Sequence, residues 1–75
     1  MKAHLEKYDL EKNIARYYRM SVLPNLFGEW TLSREWGRIS RGGRVRMDLF
    51  RSKAEAENAL ETLTDAKRKR GYSSV

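Results

Sequence analysis

The fold of this chain is decided by residues 52–71, SKAEAENALETLTDAKRKRG. Ser52 and Glu55 have the spacing of a capping box, in which a serine hydroxyl caps the first turn of a helix and a glutamate reaches back. The basic run 67–70 suits the negative end of a helix dipole, and Gly71 is a natural helix end. A single apolar stripe at helical spacing lies between these signals and consists of Ala56, Ala59, Leu60, Leu63 and Ala66. The pattern predicts one amphipathic helix near the C-terminus.

The segments before this helix alternate polar and apolar residues with the period of two that is typical of β-strands. The predicted strands cover residues 4–10, 14–23, 29–36 and 44–50. Tyr8 and Leu10 share one face of the first strand, and Met20 and Met47 are expected in the core as strand-interior residues. Paired glycines at 42–43 are expected to supply the positive φ angles that tight hairpin turns require.

Strands joined by short turns form an antiparallel sheet. The predicted fold class is therefore α+β, a four-stranded antiparallel sheet packed against one C-terminal helix in two layers. Trp30 and Leu32 share a strand face with Arg34 and Trp36 and are expected to pack in the core. The length of 75 residues allows one domain, which we expect to cover residues 1–75.

Several classes of protein are excluded by composition. The chain has no cysteine, which excludes disulfides, cysteine-ligated metals and thiol nucleophiles. The longest uncharged stretch, residues 20–28, is far shorter than the roughly 20 apolar residues that span a membrane. No secretory leader is visible. We therefore expect a cytoplasmic protein without a membrane partner.

Residues that could carry catalysis are sparse. His4 is the only histidine, and no pair of carboxylates falls at a spacing that fixes geometry. Gly42 and Gly43 lack the flanking spacing of a phosphate-binding loop. The sequence predicts no catalytic residue, no metal site, no cofactor and no small-molecule substrate, and therefore a protein that is not an enzyme.

The net charge of +6 is unevenly distributed. Residues 34–51 carry six arginines against two acids, a local charge of +4, and residues 67–70 add four more positive charges. Arginine grips phosphate bidentately and stacks on bases or sugars. Such zones indicate a polyanionic partner, with nucleic acid favoured over a solvated basic surface. The six arginines are Arg34, Arg38, Arg41, Arg44, Arg46 and Arg51.

Two interpretations of Trp36 are open at this stage. An indole at a strand end beside several arginines suits stacking on a base or sugar, with Arg38 reaching a phosphate. Alternatively, Trp36 completes the core next to Trp30. Tyr17 shares a strand face with Arg19, and half-buried cover for the sheet is a simpler role for it than stacking. The run 67–70 complements the helix dipole or contacts phosphate, and the dipole role is the simpler one.

The stretch Arg34-Glu35-Trp36-Gly37-Arg38-Ile39, preceded by Trp30-Thr31-Leu32, resembles the WGR domain. Residues 13–20 and 52–56 also match that family, so the resemblance covers roughly residues 8–72. The family occurs in poly(ADP-ribose) polymerases and in bacterial proteins, where it stands alone or is fused to other modules. The polymerase versions read DNA breaks.

In residue terms, the resemblance implies that Trp36 packs against the sugar of a terminal nucleotide and that Arg38 contacts the backbone. Gly37 shapes the turn, and Asn13 corresponds approximately to an asparagine near the DNA. Ser40 stands where the family often has glycine, so the turn is expected to differ locally. The polymerase versions continue into catalytic domains, whereas we expect this chain to act as a stand-alone, bacterial-type domain.

Our first hypothesis is a nucleic-acid-binding module that favours DNA, and DNA ends in particular. The alternatives are a protein-interaction or adaptor domain without direct nucleic-acid binding and a domain that binds RNA. The candidate nucleic-acid-binding residues are Trp36, Gly37, Arg38, Arg34, Arg41, Arg44, Arg46 and Asn13.

Overall fold

The computed structural model describes all 75 residues as one antiparallel sheet and one helix. The spatial order of the strands is β4-β3-β2-β1-β5. The helix follows β4 in the chain and packs on one face of the sheet. The elements are β1 (Lys2–Asp9), β2 (Ile14–Pro24), β3 (Trp30–Arg38), β4 (Arg44–Phe50), α1 (Lys53–Lys69) and β5 (Ser73–Ser74).

This arrangement confirms the two-layer α+β class and adds one strand to the predicted four. β5 is only two residues long and pairs with β1, placing Ser74 opposite Leu5 and Ser73 opposite Glu6. A two-residue strand is too short to show a period of two, which is why the sequence pattern gave no sign of it. The helix α1 lacks the length and apolar character that a bilayer crossing requires.

The two faces of the sheet differ in what lies on them. The helix packs against one of them, which we call the covered face, and the opposite side is the open face. Side chains of the covered face form the core together with two helix residues. The buried core consists of Leu5, Tyr18, Met20, Val22, Leu32, Ala56 and Leu60.

The helix begins at the predicted N-cap, where the serine half of the capping box is present. The Ser52 hydroxyl accepts a hydrogen bond from the Glu55 amide at 3.1 Å, and Ala56 and Leu60 are buried as expected. Ala66, by contrast, is exposed. Thr64 takes the buried position instead, because its hydroxyl donates to the Leu60 carbonyl at 2.8 Å and so satisfies its polar group inside the core.

The helix ends in a Schellman arrangement at Gly71, as the sequence predicts. The Gly71 amide donates to the Arg68 carbonyl at 3.0 Å, and the Tyr72 amide donates to the Lys67 carbonyl at 3.1 Å. Gly71 has a φ of +96°, a conformation that glycine adopts without a steric penalty. The turn brings Tyr72 back against the core.

The buried residue of the first strand lies on the face opposite that of Tyr8. Tyr8 and Leu10 are exposed, and Leu5 is the fully buried residue of β1. The register explains this result, because Leu5 lies opposite Tyr18, whereas Tyr8 lies opposite Ala15 on the open face. Leu10 lies in the turn beyond the strand.

The apolar residues of β4 also lie on the open face, so the expectation that Met47 packs in the core was wrong. Val45, Met47 and Leu49 are each about 60% exposed or more. The register places Met47 opposite Ser33 and Asp48 opposite the buried Leu32. An ion pair therefore lies at the margin of the core, where Arg34 Nη2 donates to Asp48 Oδ2 at 2.9 Å.

We predict opposite outcomes for the two strand-interior methionines. Met20 is 3% exposed and Met47 is 66% exposed. Met20→Ala should lower the free energy of unfolding by about 2–4 kcal/mol, because it removes buried volume that the core cannot refill. Met47→Ala should change it by no more than about 0.5 kcal/mol. Urea unfolding of both variants measures the difference, and equal losses would contradict the face assignment of β4.

Candidate functional site

Trp36 lies on the covered face near the end of β3 and stacks on Tyr18, with ring centroids 5.8 Å apart and planes inclined by 17°. It lies opposite Tyr18 on β2 and Arg44 on β4. Trp30 is at the other end of β3, opposite Pro24, and is not its neighbour. Trp36 is thus held by Tyr18 at the edge of the core and remains only partly buried. Trp36 therefore packs against the core beside Tyr18 and not next to Trp30, and its stacking on a base or sugar stays a prediction.

The backbone of Trp36 is in close contact with the hairpin that follows it. A Cβ atom on Gly43 would collide with the Trp36 carbonyl and the Tyr17 hydroxyl, and one on Gly37 would lie 2.8 Å from the Gly43 Cα. Glycine is therefore required at positions 37 and 43 by the close approach of two backbone segments. Gly42 has open space around it.

The positive φ of this hairpin occurs at Ser40 and not at the glycine pair. Ser40 has a φ of +68°, and neither Gly42 nor Gly43 has a positive φ. The Arg41 amide closes the turn by donating to the Arg38 carbonyl at 3.1 Å. The prediction that Gly42 and Gly43 supply positive φ was wrong, since Gly43 is needed for close contact instead. Ser40 occupies the left-handed conformation that glycine favours.

Arg38 is held by Asn13. Its Nη1 donates to the Asn13 carbonyl at 3.0 Å, and its Nη2 donates to the Asn13 Oδ1 at 3.1 Å. Asn13 has a φ of +54°, which asparagine tolerates better than most residues. These two contacts fix the guanidinium while leaving its other N–H groups free to bind a ligand.

A row of three cations crosses the sheet beside Trp36. Lys7 lies opposite Arg16, and Arg16 lies opposite Arg38. Like charges placed directly across neighbouring strands are destabilising. Asp9, the next carboxylate on this face of β1, accepts a hydrogen bond from the Lys12 amide at 3.3 Å. The row is thus unfavourable for folding alone and well suited to an anionic ligand.

The C-terminal end of the helix adds cations over the same aromatic rings. Lys67 Nζ lies 4.5 Å from the centre of the Tyr18 ring and 5.8 Å from that of Tyr72. Lys7 Nζ lies 5.9 Å from the centre of the Tyr72 ring. Burial lowers the pKa of Lys67, and the nearby Arg70 and Arg34 lower it further. Positive charge at this end of the molecule is therefore crowded.

We call this region the basic–aromatic surface. None of its six cations belongs to an ion pair within 4 Å, whereas Arg19, Arg34, Arg46 and Arg68 each pair with a carboxylate. Six of the chain's unpaired cations thus lie on the surface that contains this partly exposed indole. The basic–aromatic surface consists of Lys7, Arg16, Arg38, Arg44, Lys67, Arg70, Tyr18, Trp36 and Tyr72.

The chain matches the model of the WGR domain over residues 1–75. It belongs to the WGR domain family. WGR domains are nucleic-acid-binding modules, and they bind without catalysing a reaction.

This WGR domain is also 44% identical, over 69 residues, to a Sinorhizobium fredii (strain NBRC 101917 / NGR234) protein called "Uncharacterized protein y4dW". The match covers 92% of this chain and 34% of that relative, so the chain spans about a third of the length of the relative. No solved structure matches the chain.

Not all of the site residues expected from sequence lie together in the WGR domain. Trp36, Arg38 and Arg44 belong to the basic–aromatic surface, and Gly37 and Asn13 shape it. Arg34 is mostly buried and bound to Asp48, and its Nε has no hydrogen-bond partner in the protein.

The two remaining candidates lie to the side of Trp36. Arg46 is exposed, but its Nε donates to Asp48 Oδ1 at 3.2 Å. Arg41 is exposed in the hairpin turn. Its charge is therefore close to the chain segment that follows Trp36 without sharing the strand face of that indole.

On the open face Glu35 binds two neighbouring side chains. Tyr17 is buried, and its hydroxyl donates to Glu35 Oε2 at 2.7 Å, while Arg19 Nη2 donates to Glu35 Oε1 at 2.8 Å. Arg19 also lies over the Tyr17 ring, with its Cζ 5.1 Å from the ring centre. The simpler role for Tyr17, cover for the sheet, is the one that the structure shows.

Sequence reasoning did not include Lys7, Arg16 and Tyr72 among the candidates, and it gave phosphate contact by the run 67–70 only as the less simple alternative. Arg16 carried a usable signal, because it precedes Tyr18 by two residues and therefore shares its strand face. The position of Tyr72 depends on the turn at Gly71 and on β5, and no period in the sequence reports either of these features.

We predict that the two hairpin glycines respond differently to alanine. Gly43→Ala should lower the free energy of unfolding by about 2 kcal/mol or more, because its Cβ atom would collide with the backbone at Trp36. Gly42→Ala is the matched control and should cost no more than about 0.5 kcal/mol, since nothing lies within 4 Å of its Cβ position. Thermal and urea unfolding measure both changes. A tolerated Gly43→Ala would show that the hairpin is not held against Trp36.

We predict that Glu35 makes the fold sensitive to acid. The hydrogen bond from Tyr17, followed by that from Arg19, lowers the pKa of Glu35 below its ordinary value of 4.5. Stability that comes from the ionised carboxylate is fully present above pH 4.5 and is lost as the pH falls through the lowered pKa. The stability difference between wild type and Glu35→Gln should therefore shrink as the pH is lowered below 4.5.

Urea unfolding at a series of pH values measures this difference. Glu11→Gln, in the exposed turn between β1 and β2, serves as the control. A difference between wild type and Glu35→Gln that stays constant down to low pH would contradict the assignment.

Proposed function

We propose that this WGR domain, residues 1–75, is a non-enzymatic DNA-binding module that binds DNA ends through the basic–aromatic surface. The observation that carries the proposal is the cluster of six cations without ion pairs around the partly exposed Trp36. A cluster of this kind destabilises the folded chain by self-repulsion and is compensated when a polyanion binds.

Trp36 is the proposed contact to a terminal nucleotide. Its inner side is held against Tyr18, which fixes the plane of the indole before any ligand arrives. A rigid aromatic face gains affinity because little conformational entropy is lost on binding. In the interior of a duplex each base is stacked between neighbours, so an indole finds an open partner at an end or a break. The resemblance to break-reading WGR domains likewise implies contact between Trp36 and a terminal nucleotide.

The cations are proposed to bind the phosphates on either side of that nucleotide. Arg38 is oriented by Asn13, and Arg16 and Lys7 continue the row across the sheet. Lys67 contributes from the helix end, where its lowered pKa reflects burial and neighbouring cations. A bound phosphate would relieve the repulsion and raise the pKa of Lys67.

DNA is proposed in preference to RNA. Binding of RNA would use Tyr17, beside Arg19 on the sheet, to stack on the bases of a single strand. Tyr17 is buried, with Arg19 lying over its ring, and its hydroxyl is bound to Glu35. The exposed side of the Trp36 indole therefore carries the stacking role in this proposal.

We predict salt-dependent DNA binding that weakens when one cation of the row is removed. If three to five phosphates are neutralised, log affinity should fall with log salt at a slope of about −3 to −4.5. Arg16→Gln should reduce the magnitude of that slope by about 0.9. Arg51→Gln is the matched control, since it makes the same chemical change beyond Phe50, which lies opposite Trp30 at the other end of the sheet. Fluorescence anisotropy at several salt concentrations measures both variants.

The same titrations distinguish end binding from general duplex binding. Trp36→Ala should weaken binding to a nicked or blunt duplex by roughly 5- to 100-fold, the range expected for loss of one aromatic stack. Binding to a duplex sealed by hairpins at both ends should stay within about twofold, because it rests on phosphates alone. Circular dichroism checks that the variant is folded. No binding by the wild type at low salt would contradict the proposal and favour an adaptor domain. Equal loss on all duplexes would argue against end recognition.

A further inference from the structure

The outer strand β4 presents an apolar row to solvent. β4 lies at the edge of the sheet and pairs only with β3. Its open-face side chains, Val45, Met47 and Leu49, are 59%, 66% and 60% exposed. An exposed edge strand with apolar side chains is a template for pairing with another strand. The ion pairs of this edge lie on the opposite face, at Asp48.

We propose that β4 pairs antiparallel with β4 of a second copy of this chain, in a register centred on Met47. In that register Val45 lies opposite the second copy's Leu49, and Met47 lies opposite itself. On the covered face Arg46 lies opposite the second copy's Asp48, so the dimer has two charge-complementary contacts. All of β4, Arg44–Phe50, takes part in this pairing.

The sequence of β4 selects this register over its neighbours. Opposite residues of an antiparallel pair point to the same side, so a symmetric pair must be centred on a residue. Centring on Arg46 would place two arginines directly opposite each other, and centring on Asp48 would do the same with two carboxylates. Like charges directly opposite each other are destabilising. Centring on Met47 replaces both repulsions by attraction.

This proposal does not depend on nucleic-acid binding. It concerns the outer edge of β4, whereas Trp36 lies on β3. Experiments on association are therefore made without nucleic acid, so that two chains cannot be brought together by one oligonucleotide.

Cysteine cross-linking tests the register directly. The chain has no cysteine of its own, so any disulfide must form between introduced residues. Opposite residues in an antiparallel pair have Cα atoms about 4.5 to 5.5 Å apart, a separation that a disulfide spans. Met47→Cys should form a covalent dimer under mild oxidation. Val45→Cys alone and Leu49→Cys alone should not, because each lies about 14 Å from its own copy in the proposed register. A mixture of the last two variants should cross-link.

The outcomes of this experiment are decisive. All three positions are exposed, so the substitutions leave the core intact. Cross-linking of Met47→Cys and of the mixture, with neither single control reacting, supports the proposal. Equal cross-linking of all three single variants indicates random collision and overturns it. Absence of any cross-link also overturns it.

Solution mass gives a second and independent readout. The average mass should rise from 8.9 kDa toward twice that value as the concentration increases, because association follows mass action. Arg46→Asp should weaken association at least about tenfold, since it places two carboxylates opposite each other at two symmetric sites. Lys12→Asp makes a similar charge change in the turn between β1 and β2 and should leave association unchanged. A single-chain mass at every concentration overturns the proposal.

Discussion

The position of Tyr18 under Lys67, between Trp36 and Tyr72, is the contact on which the rest of the molecule depends. The side chain of Tyr18 is buried in the core, stacks on Trp36 and meets Tyr72 edge-on at 6.4 Å. Lys67 lies over its ring. One residue thereby ties β2 to β3, to the end of the helix and to the segment after it. The packing that stabilises the core therefore also positions the aromatic side chains of the candidate site.

The two faces of the sheet differ in whether their cations have carboxylate partners. On the open face Glu35 accepts hydrogen bonds from both Tyr17 and Arg19. On the covered face near Trp36, cations stand in register with one another and lack carboxylate partners. The negative end of the helix dipole offsets part of this repulsion near Lys67. The rest is left uncompensated within the protein, and a chain selected for stability alone would have mixed the two signs here.

Sequence reasoning succeeded where a local signal and the tertiary fold agree, and it failed where only tertiary contacts decide. The helix was predictable because Ser52 and Gly71 fix its ends through local hydrogen bonds. Which face of β1 and β4 is buried was not predictable from the sequence. Alternation shows that the two faces of a strand differ, but it does not show which one the helix covers. Leu5 and Met47 were decided by their partners across the sheet, Tyr18 and Ser33.

The candidate site was predictable only in part for a related reason. The tripeptide at 36–38 is a local motif that the sequence displays directly, whereas Lys7, Arg16 and Lys67 join it through strand register and helix packing.

A β4 pair would extend this arrangement across two copies. A two-fold axis normal to the sheet keeps both covered faces on the same side, with the two Trp36 Cα atoms about 25 Å apart by strand spacing and residue rise. One polyanion that reaches both surfaces would then bind with raised effective concentration at the second one. By linkage, that polyanion would strengthen association of the copies by the same factor. Association measured without nucleic acid is thus the lower limit of what the proposed pair could reach on a shared ligand.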